Sequence, residues 1–188
     1  MERTLTLIER TLTRVPVLLF VIALFSSAAF AQMEVPKPGP EHKKLDYFVG
    51  NWNSDGELKA SAMGPGGKMH IDEQTEWMEG GYFVVIRSKF TSASMGKGSG
   101  IAFMGYDPQE KVYTYDEFNS MGQVAHSRGT VEGDNWVWTS DMKMGPQTMK
   151  TRFSMKIVSP TSYTYKFEMS PDGTNWSLVM EGKDQKTK

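Results

Sequence analysis

The stretch from Gly98 to Gly122 constrains the fold most, because it contains two alternating runs joined by a tight turn. The first run ends at Asp107-Pro108, and a second run, rich in tyrosine, ends at Met121-Gly122. Alternating apolar and polar residues between turns that contain Pro or Gly are typical of antiparallel hairpins. This stretch therefore predicts a hairpin that leads into a further strand.

The same alternation recurs along most of the chain after residue 50. Besides the two runs just described, predicted strands cover residues 51–61, 68–78, 82–90, 124–131, 135–144, 148–158, 162–169 and 176–183. Among the turns between them, Gly80-Gly81 offers the two positive-φ positions of a tight hairpin. Sheets of many sequential strands usually close, because closure removes edges that would otherwise aggregate. We therefore predict an all-β fold, an antiparallel up-and-down barrel of about ten strands, with a β-sandwich as the alternative.

Residues 41–49 predict a short helix before the first strand. Leu45, Phe48 and Val49 fall on one side of it. Pro40 lies near its first turn, where a missing amide donor costs nothing. We expect this helix to plug one end of the barrel.

The first 31 residues have the composition of a signal peptide. A basic start containing three arginines precedes the apolar run from Val15 to Phe25, and Ala29-Phe30-Ala31 supplies the small residues that signal peptidase requires. The apolar run, of about eleven residues, is shorter than the roughly twenty that a spanning helix needs. We expect cleavage after Ala31, with an uncleaved N-terminal anchor as the alternative.

Three segments follow from this interpretation: a signal peptide at residues 1–31, a proline-rich leader at 32–40 and a β-barrel domain at 41–188. After cleavage we expect no stable membrane span, and the predicted location is the periplasm or the medium. The chain has no cysteine, which excludes disulfides, thiolate metal sites and thiol nucleophiles. Its formal net charge of −1 argues against a nucleic-acid partner, which requires a concentrated basic face.

Short motifs spread along the chain indicate a family. They are Pro40-Glu41-His42 with Leu45, Gly50-Asn51-Trp52, Glu79-Gly80-Gly81-Tyr82-Phe83, Gly105-Tyr106-Asp107-Pro108, Ser120-Met121-Gly122, Gly129 and Pro171-Asp172-Gly173. Between about Pro40 and Glu181 the chain thereby resembles the domain of unknown function 1579 family, itself similar to lipocalin-like and nitrobindin-like barrels. The resemblance implies a barrel with an interior cavity and implies no activity.

Five residues are candidates for binding a ligand. His126 and Arg128 share a strand face and would suit an anionic head group if that face points inward; the alternative is that both face solvent. Arg87 shares a face with Phe83 and Val85, and its direction is equally open. Trp52 and Trp138 belong to the aromatic residues that could line an apolar pocket, although strands favour aromatic residues in any case.

Methionine is frequent and suggests a second possibility. Met142 and Met144 lie two residues apart, Met149 follows across the Gly145-Pro146 turn, and thioethers bind Cu(I). Methionine also fills irregular gaps in cores, and the nearby lysines would repel a cation.

The resemblance to nitrobindin-like barrels raises the question of haem. Those proteins hold iron with a histidine near the end of the last strand. Here Trp176 to Glu181 contains no histidine, and Met180 is at most a weak axial ligand. We therefore expect no cofactor.

An enzyme is the least favoured class of function. The chain has no nucleophile elbow, phosphate loop or zinc-protease spacing, and Asp116 and Glu117, adjacent on a strand, point to opposite faces. The sequence therefore favours an exported barrel that binds a small apolar or amphipathic molecule in its interior. Soft-metal binding and an unrecognised enzyme are the alternatives.

Overall fold

The computed structural model describes residues 37–61 and 64–187, so the predicted signal peptide and most of the predicted leader lie outside the described residues. Helix α1 (Pro40–Lys43) continues directly into a 3₁₀ helix (Lys44–Phe48). Ten strands follow: β1 (Gly50–Leu58), β2 (Gly67–Trp77), β3 (Phe83–Ser92), β4 (Gly96–Asp107), β5 (Val112–Asn119), β6 (Val124–Glu132), β7 (Asn135–Met144), β8 (Gln147–Ser159), β9 (Ser162–Ser170) and β10 (Ser177–Thr187). In this part of the chain, no helix is long and apolar enough to cross a bilayer.

The strands form a closed antiparallel barrel, which confirms the predicted fold and excludes the β-sandwich. Each strand pairs with the next along the chain, and β1 closes the barrel by pairing with β10 from Asn51↔Thr187 to Leu58↔Met180. The predicted hairpin turn between β2 and β3 is also present, with Gly80 at φ 93° and Gly81 at φ 72°. Both angles favour glycine, because a Cβ atom makes this region costly.

Aromatic packing fills the end of the barrel beside the helices. Leu45 is fully buried and Phe48 is 5% exposed. The ring of Phe48 meets that of Trp136 edge-on at 5.1 Å, and Trp52 lies 5.2 Å from Tyr163, measured between ring centroids. These contacts confirm that the N-terminal helix plugs the barrel.

Hydrogen bonds from the barrel hold this plug in place. The Tyr113 hydroxyl donates to the Glu41 carboxylate at 2.6 Å, and Trp77 Nε1 donates to Asp46 Oδ1 at 2.8 Å. Trp52 Nε1 donates to the Phe48 carbonyl at 2.8 Å in a buried position. Three strands thus contact the helical segment through polar groups, which fixes its orientation as well as its burial.

Two glycines paired across the closing strands make room for a tyrosine. Gly56 on β1 lies opposite Gly182 on β10, and the hydroxyl of Tyr165 lies over both of them. A methyl group at position 182 would overlap that hydroxyl and the carbonyl oxygen of Asp55. The closure of the barrel therefore depends on the missing side chains.

We expect Gly182→Ala to lower the free energy of unfolding by about 1–3 kcal/mol, because the backbone oxygen cannot move aside cheaply. Urea unfolding followed by tryptophan fluorescence measures this change. Gly39→Ala is the matched control, since a Cβ atom there meets nothing within 4 Å. Equal stability of the two variants would contradict the close approach at Gly182.

Candidate ligand-binding site

Three carboxyl groups lie inside the barrel beyond the aromatic plug. Glu73 on β2 alternates with the interior residues Ile71 and Thr75. Glu117 on β5 follows the same face as Tyr113 and Tyr115, and Asp184 on β10 is 3% exposed. Strands from three parts of the chain thereby bring acidic groups into one enclosed space.

Asp184 is held by hydroxyl groups. The Ser54 hydroxyl donates to Asp184 Oδ2 at 3.1 Å, and it also lies 3.1 Å from the hydroxyl of Tyr165. Tyr163 donates a further hydrogen bond to the Asp184 carboxylate. This carboxyl group is therefore a fixed part of the wall.

Glu117 also has hydrogen-bond donors. The Tyr115 hydroxyl donates to Glu117 Oε2 at 3.3 Å, and the side chain of Asn119 supplies another hydrogen bond. Gly100 on β4 leaves space beside this group, since a Cβ atom there would lie 2.9 Å from Ser88 Oγ and 3.5 Å from Glu117 Oε1. Glu117 and Ser88 therefore border the same space.

Glu73 differs from the other two carboxyl groups. Among the residues that the structure describes, none donates a hydrogen bond to its carboxylate or forms an ion pair with it. Its direct neighbours across the sheet are Trp52 and Ser88. Glu73 is thus an acidic group inside the barrel whose hydrogen-bonding capacity is unused by the protein.

Enclosure raises the pKa of all three carboxyl groups. Burial, reinforced by the like charges of Asp184 and Glu117, raises the pKa of Glu73 to about 8. Burial raises the pKa of Asp184 to about 7 although hydrogen bonds from Ser54 and Tyr163 oppose the change, and it also raises the pKa of Glu117. Near neutral pH the interior therefore carries much less negative charge than three free carboxylates would.

An aromatic wall adjoins the carboxyl groups. Trp138 packs between the rings of Tyr115 and Phe153, at 6.5 and 6.3 Å between centroids, and Phe153 stacks on Tyr165 at 5.5 Å. Trp138 is 6% exposed, and its Nε1–H has no hydrogen-bond partner. A buried indole donor without an acceptor is costly, so this wall contains an unsatisfied group.

Several side chains that face the interior retain accessible surface. Ile71, Glu73, Tyr115, Glu117 and Phe153 are all half-buried rather than buried. Burial nevertheless dominates the pKa shifts of Glu73, Tyr115 and Glu117. These side chains face the interior and yet keep accessible surface, so the barrel is not fully packed around them.

Two surface depressions lie apart from this group. One of about 420 Å³ lies at the plugged end and is lined by Lys44, Val131, Gly133, Trp136 and Ile157. The other, of about 740 Å³, follows β7 to β10 from Asn135 to Gly182. Neither is lined by Glu73, Glu117 or Asp184. We place the candidate site in the interior, because that is where titratable and unsatisfied groups come together.

The five residues predicted from the sequence divide between the two faces. Trp52 and Trp138 lie in the interior, Trp52 within the plugged end and Trp138 in the aromatic wall. Arg87 lies outside and pairs with Glu76. The structure thus brings only the two tryptophans into the interior.

His126 and Arg128 also lie on the outer face, which corrects the expectation that they share the interior with a ligand. His126 Nδ1 lies 2.7 Å from Asp116 Oδ1, and Arg128 Nε lies 3.5 Å from Glu110 Oε2. Their strand turns Ser127 and Gly129 inward instead. A site for an anionic head group is therefore not formed by these side chains.

Sequence reasoning missed Glu73, Glu117 and Asp184. A signal was present for Glu73, since it shares its strand face with the apolar residues Met69, Ile71 and Trp77. Glu117 shares its face with Tyr113 and Tyr115 in the same way. Asp184 lies just beyond the predicted end of the last strand, where no pattern was available.

The methionines and possible metal ligands are placed as follows. Met142 on β7 lies directly opposite Met149 on β8, and Met144 shares the face of Met142. Met180 packs against the core. In the described residues, no three His, Asp or Glu side chains are arranged to hold a metal ion. Cu(I) binding by thioethers stays a prediction.

Comparison with known proteins gives a family match and a fold match. The model of the family described as protein of unknown function, DUF1579, matches residues 37–186. No curated protein matches the chain in sequence.

Two solved structures share the architecture. The protein Rv2717c from M. tuberculosis is 11% identical with a TM-score of 0.55, covering 80% of this chain and 99% of that one. The S-type phycobiliprotein lyase CPES from Guillardia theta is 11% identical with a TM-score of 0.54, covering 79% and 93%. At this identity the likeness extends to the fold alone.

The raised pKa of Glu73 predicts a pH-dependent stability. The folded protein keeps this proton up to about pH 8, whereas an unfolded glutamate loses it near pH 4.3. Stability contributed by the protonated form is therefore present below about pH 4 and is lost as the pH rises to about 8. We expect Glu73→Gln to reduce this loss by roughly 2–4 kcal/mol between pH 4 and pH 9.

Urea unfolding at several pH values checks this expectation. Glu132→Gln is the matched control, since Glu132 is exposed on β6, and it should keep the parent's pH dependence. The free energy of unfolding should keep some pH dependence in every variant, because the pKa of Asp184 is also raised. Parallel pH profiles for the parent and Glu73→Gln would show that Glu73 is not enclosed as described.

Proposed function

We propose that this chain, which belongs to the family of proteins of unknown function DUF1579, binds a small amphipathic molecule inside its barrel. The observation that supports this most directly is the accessible surface on interior side chains such as Ile71, Phe153 and Glu73. A core filled by its own side chains would leave these residues buried. A barrel of this size has room for one small ligand.

The enclosed surface combines apolar area with a few polar groups, as ligand sites do. Ile71, Phe153, Tyr115 and Trp138 supply the apolar part. Burying such surface contributes roughly 25 cal/mol per Å², while the carboxyl groups would orient the ligand. This division between affinity and orientation favours an amphipathic molecule over a purely apolar one.

Entry from the end opposite α1 is consistent with the packing. The helices and the aromatic cluster occupy one end, whereas the turns between β1 and β2, β5 and β6, and β7 and β8 surround the other. Met142 and Met149 lie near that open end and are half-buried. Flexible thioether side chains adapt to varied apolar shapes, which suits an entrance.

Filling the space beside the carboxyl groups should block binding. Ser88 faces the interior next to Glu73 and Gly100, so Ser88→Leu places a bulky side chain there. We expect the affinity for N-phenyl-1-naphthylamine, a neutral probe that fluoresces in apolar sites, to fall at least tenfold, or about 1.4 kcal/mol.

Ser99→Leu is the matched control, because Ser99 is exposed on the outer face of β4. It should bind the probe as the parent does. Circular dichroism and thermal unfolding establish that both variants are folded. Equal loss of affinity in both, or no loss in either, would rule out the interior as the binding site.

We also propose export, on the basis of the residue pattern before the barrel. The basic start, the apolar run and Ala29-Phe30-Ala31 support cleavage by signal peptidase. Expression of the full chain in a bacterial host should yield a periplasmic or secreted product that begins at Gln32. Intact mass measurement on fractionated cells checks this expectation. The variant Ala31→Arg should not be cleaved. An uncleaved cytoplasmic product from the parent chain would refute the proposed export.

A further inference from the structure

Apart from Lys186 at the plugged end, the charged side chains inside the barrel are acidic. Alternation along the described strands places their lysines and arginines on the outer face, with the exception of Lys186. Lys186 lies at the plugged end, where its Nζ donates to the Tyr47 carbonyl at 3.4 Å and lies 5.3 Å from the Trp52 ring. Although Lys186 faces the interior, no lysine or arginine of the described strands pairs with Glu73, Glu117 or Asp184.

The titratable groups that face Glu73 are all acidic. They are Asp184 on β10, Glu117 and Tyr115 on β5, and Tyr163 and Tyr165 on β9. Asp184 and Glu117 disfavour a negative charge on Glu73, since like charges repel strongly in an enclosed space. A positive charge placed among the three carboxyl groups would favour their ionised forms.

A second group in the same enclosure is unsatisfied and does not belong to the acidic set. Trp138 is buried in the wall with no acceptor for its Nε1–H. It contacts the ring of Tyr115, whose hydroxyl is bonded to Glu117. That nitrogen lies over Gly129 on β6 and has almost no accessible surface, so Trp138 belongs to the wall and presents its ring, not its N–H, to a ligand.

We propose that the ligand is an organic cation, a molecule with a positively charged nitrogen that pairs with Glu73, next to an apolar body held by the aromatic wall. This assignment rests on the proposed function and specifies its ligand class. Glu73 is the counter-ion because its carboxylate has no other partner, whereas those of Asp184 and Glu117 are already hydrogen-bonded. Tyr115 and Trp138 add attraction between their ring faces and the cation.

Pairing with a permanent cation requires Glu73 to release its proton. The carboxylate that remains forms the ion pair, and the proton passes to solvent. Since the free protein holds this proton up to about pH 8, affinity for a cation should rise with pH by up to about tenfold per unit below that value. A neutral ligand of the same shape should show no such rise.

Two dyes of the same shape test the assignment on the full-length protein. One is the cation N-methyl-4-(4-dimethylaminostyryl)pyridinium and the other is neutral 4-dimethylamino-4′-methylstilbene, in which carbon replaces the ring nitrogen. Both gain fluorescence when held rigidly. The decisive quantity is the ratio of the cation's affinity to the neutral dye's affinity. At pH 8 we expect Glu73→Gln to lower this ratio at least tenfold and Glu132→Gln to leave it unchanged.

The pH dependence of dye binding by the parent protein tests the cation assignment independently of any variant. The ratio should increase at least tenfold between pH 6 and pH 8. A ratio that is the same at both pH values and in all variants would overturn the cation assignment, even if both dyes bind in the interior. Failure of both dyes to bind would overturn the proposed function itself, and the assignment with it.

Discussion

The pairing of β1 with β10 is the contact on which the rest of the structure depends. It joins the first and last strands of the described domain over eight residue pairs, from Asn51↔Thr187 to Leu58↔Met180. Closure satisfies the backbone groups that would otherwise form two exposed sheet edges. It also creates an inside, so that the two faces of every strand acquire different surroundings. Gly56 and Gly182 permit this contact by accommodating Tyr165 between them.

The interior that results is divided along its length. Near the helices, aromatic rings and Leu45 fill the space and exclude water. Further along, Glu73, Glu117 and Asp184 are enclosed with phenolic hydroxyls and with the unsatisfied indole of Trp138. Placing three acidic groups together opposes their ionisation, and the protein retains them at a cost in stability. Groups kept at such a cost are typical of sites with a function.

The outer face has the opposite electrostatic character. Several of its basic side chains pair with carboxylates, as in Arg87 with Glu76 and Arg152 with Glu168. Such exposed pairs contribute little to stability, because water screens them. Arg87 and Arg128, which the sequence made candidates for binding a ligand, have carboxylate partners of this kind on the outer face.

The sequence by itself determined the ten strands, their turns and the plug helix, because these follow from local alternation and from glycine and proline positions. It also predicted two interior residues, Trp52 and Trp138. Only the tertiary structure decided which face of each strand points inward. Alternation with a period of two divides the residues of a strand between two faces but does not show which face points inward. That is decided by closure between strands that are far apart in the chain. For that reason His126 proved to be outside and Glu73 inside.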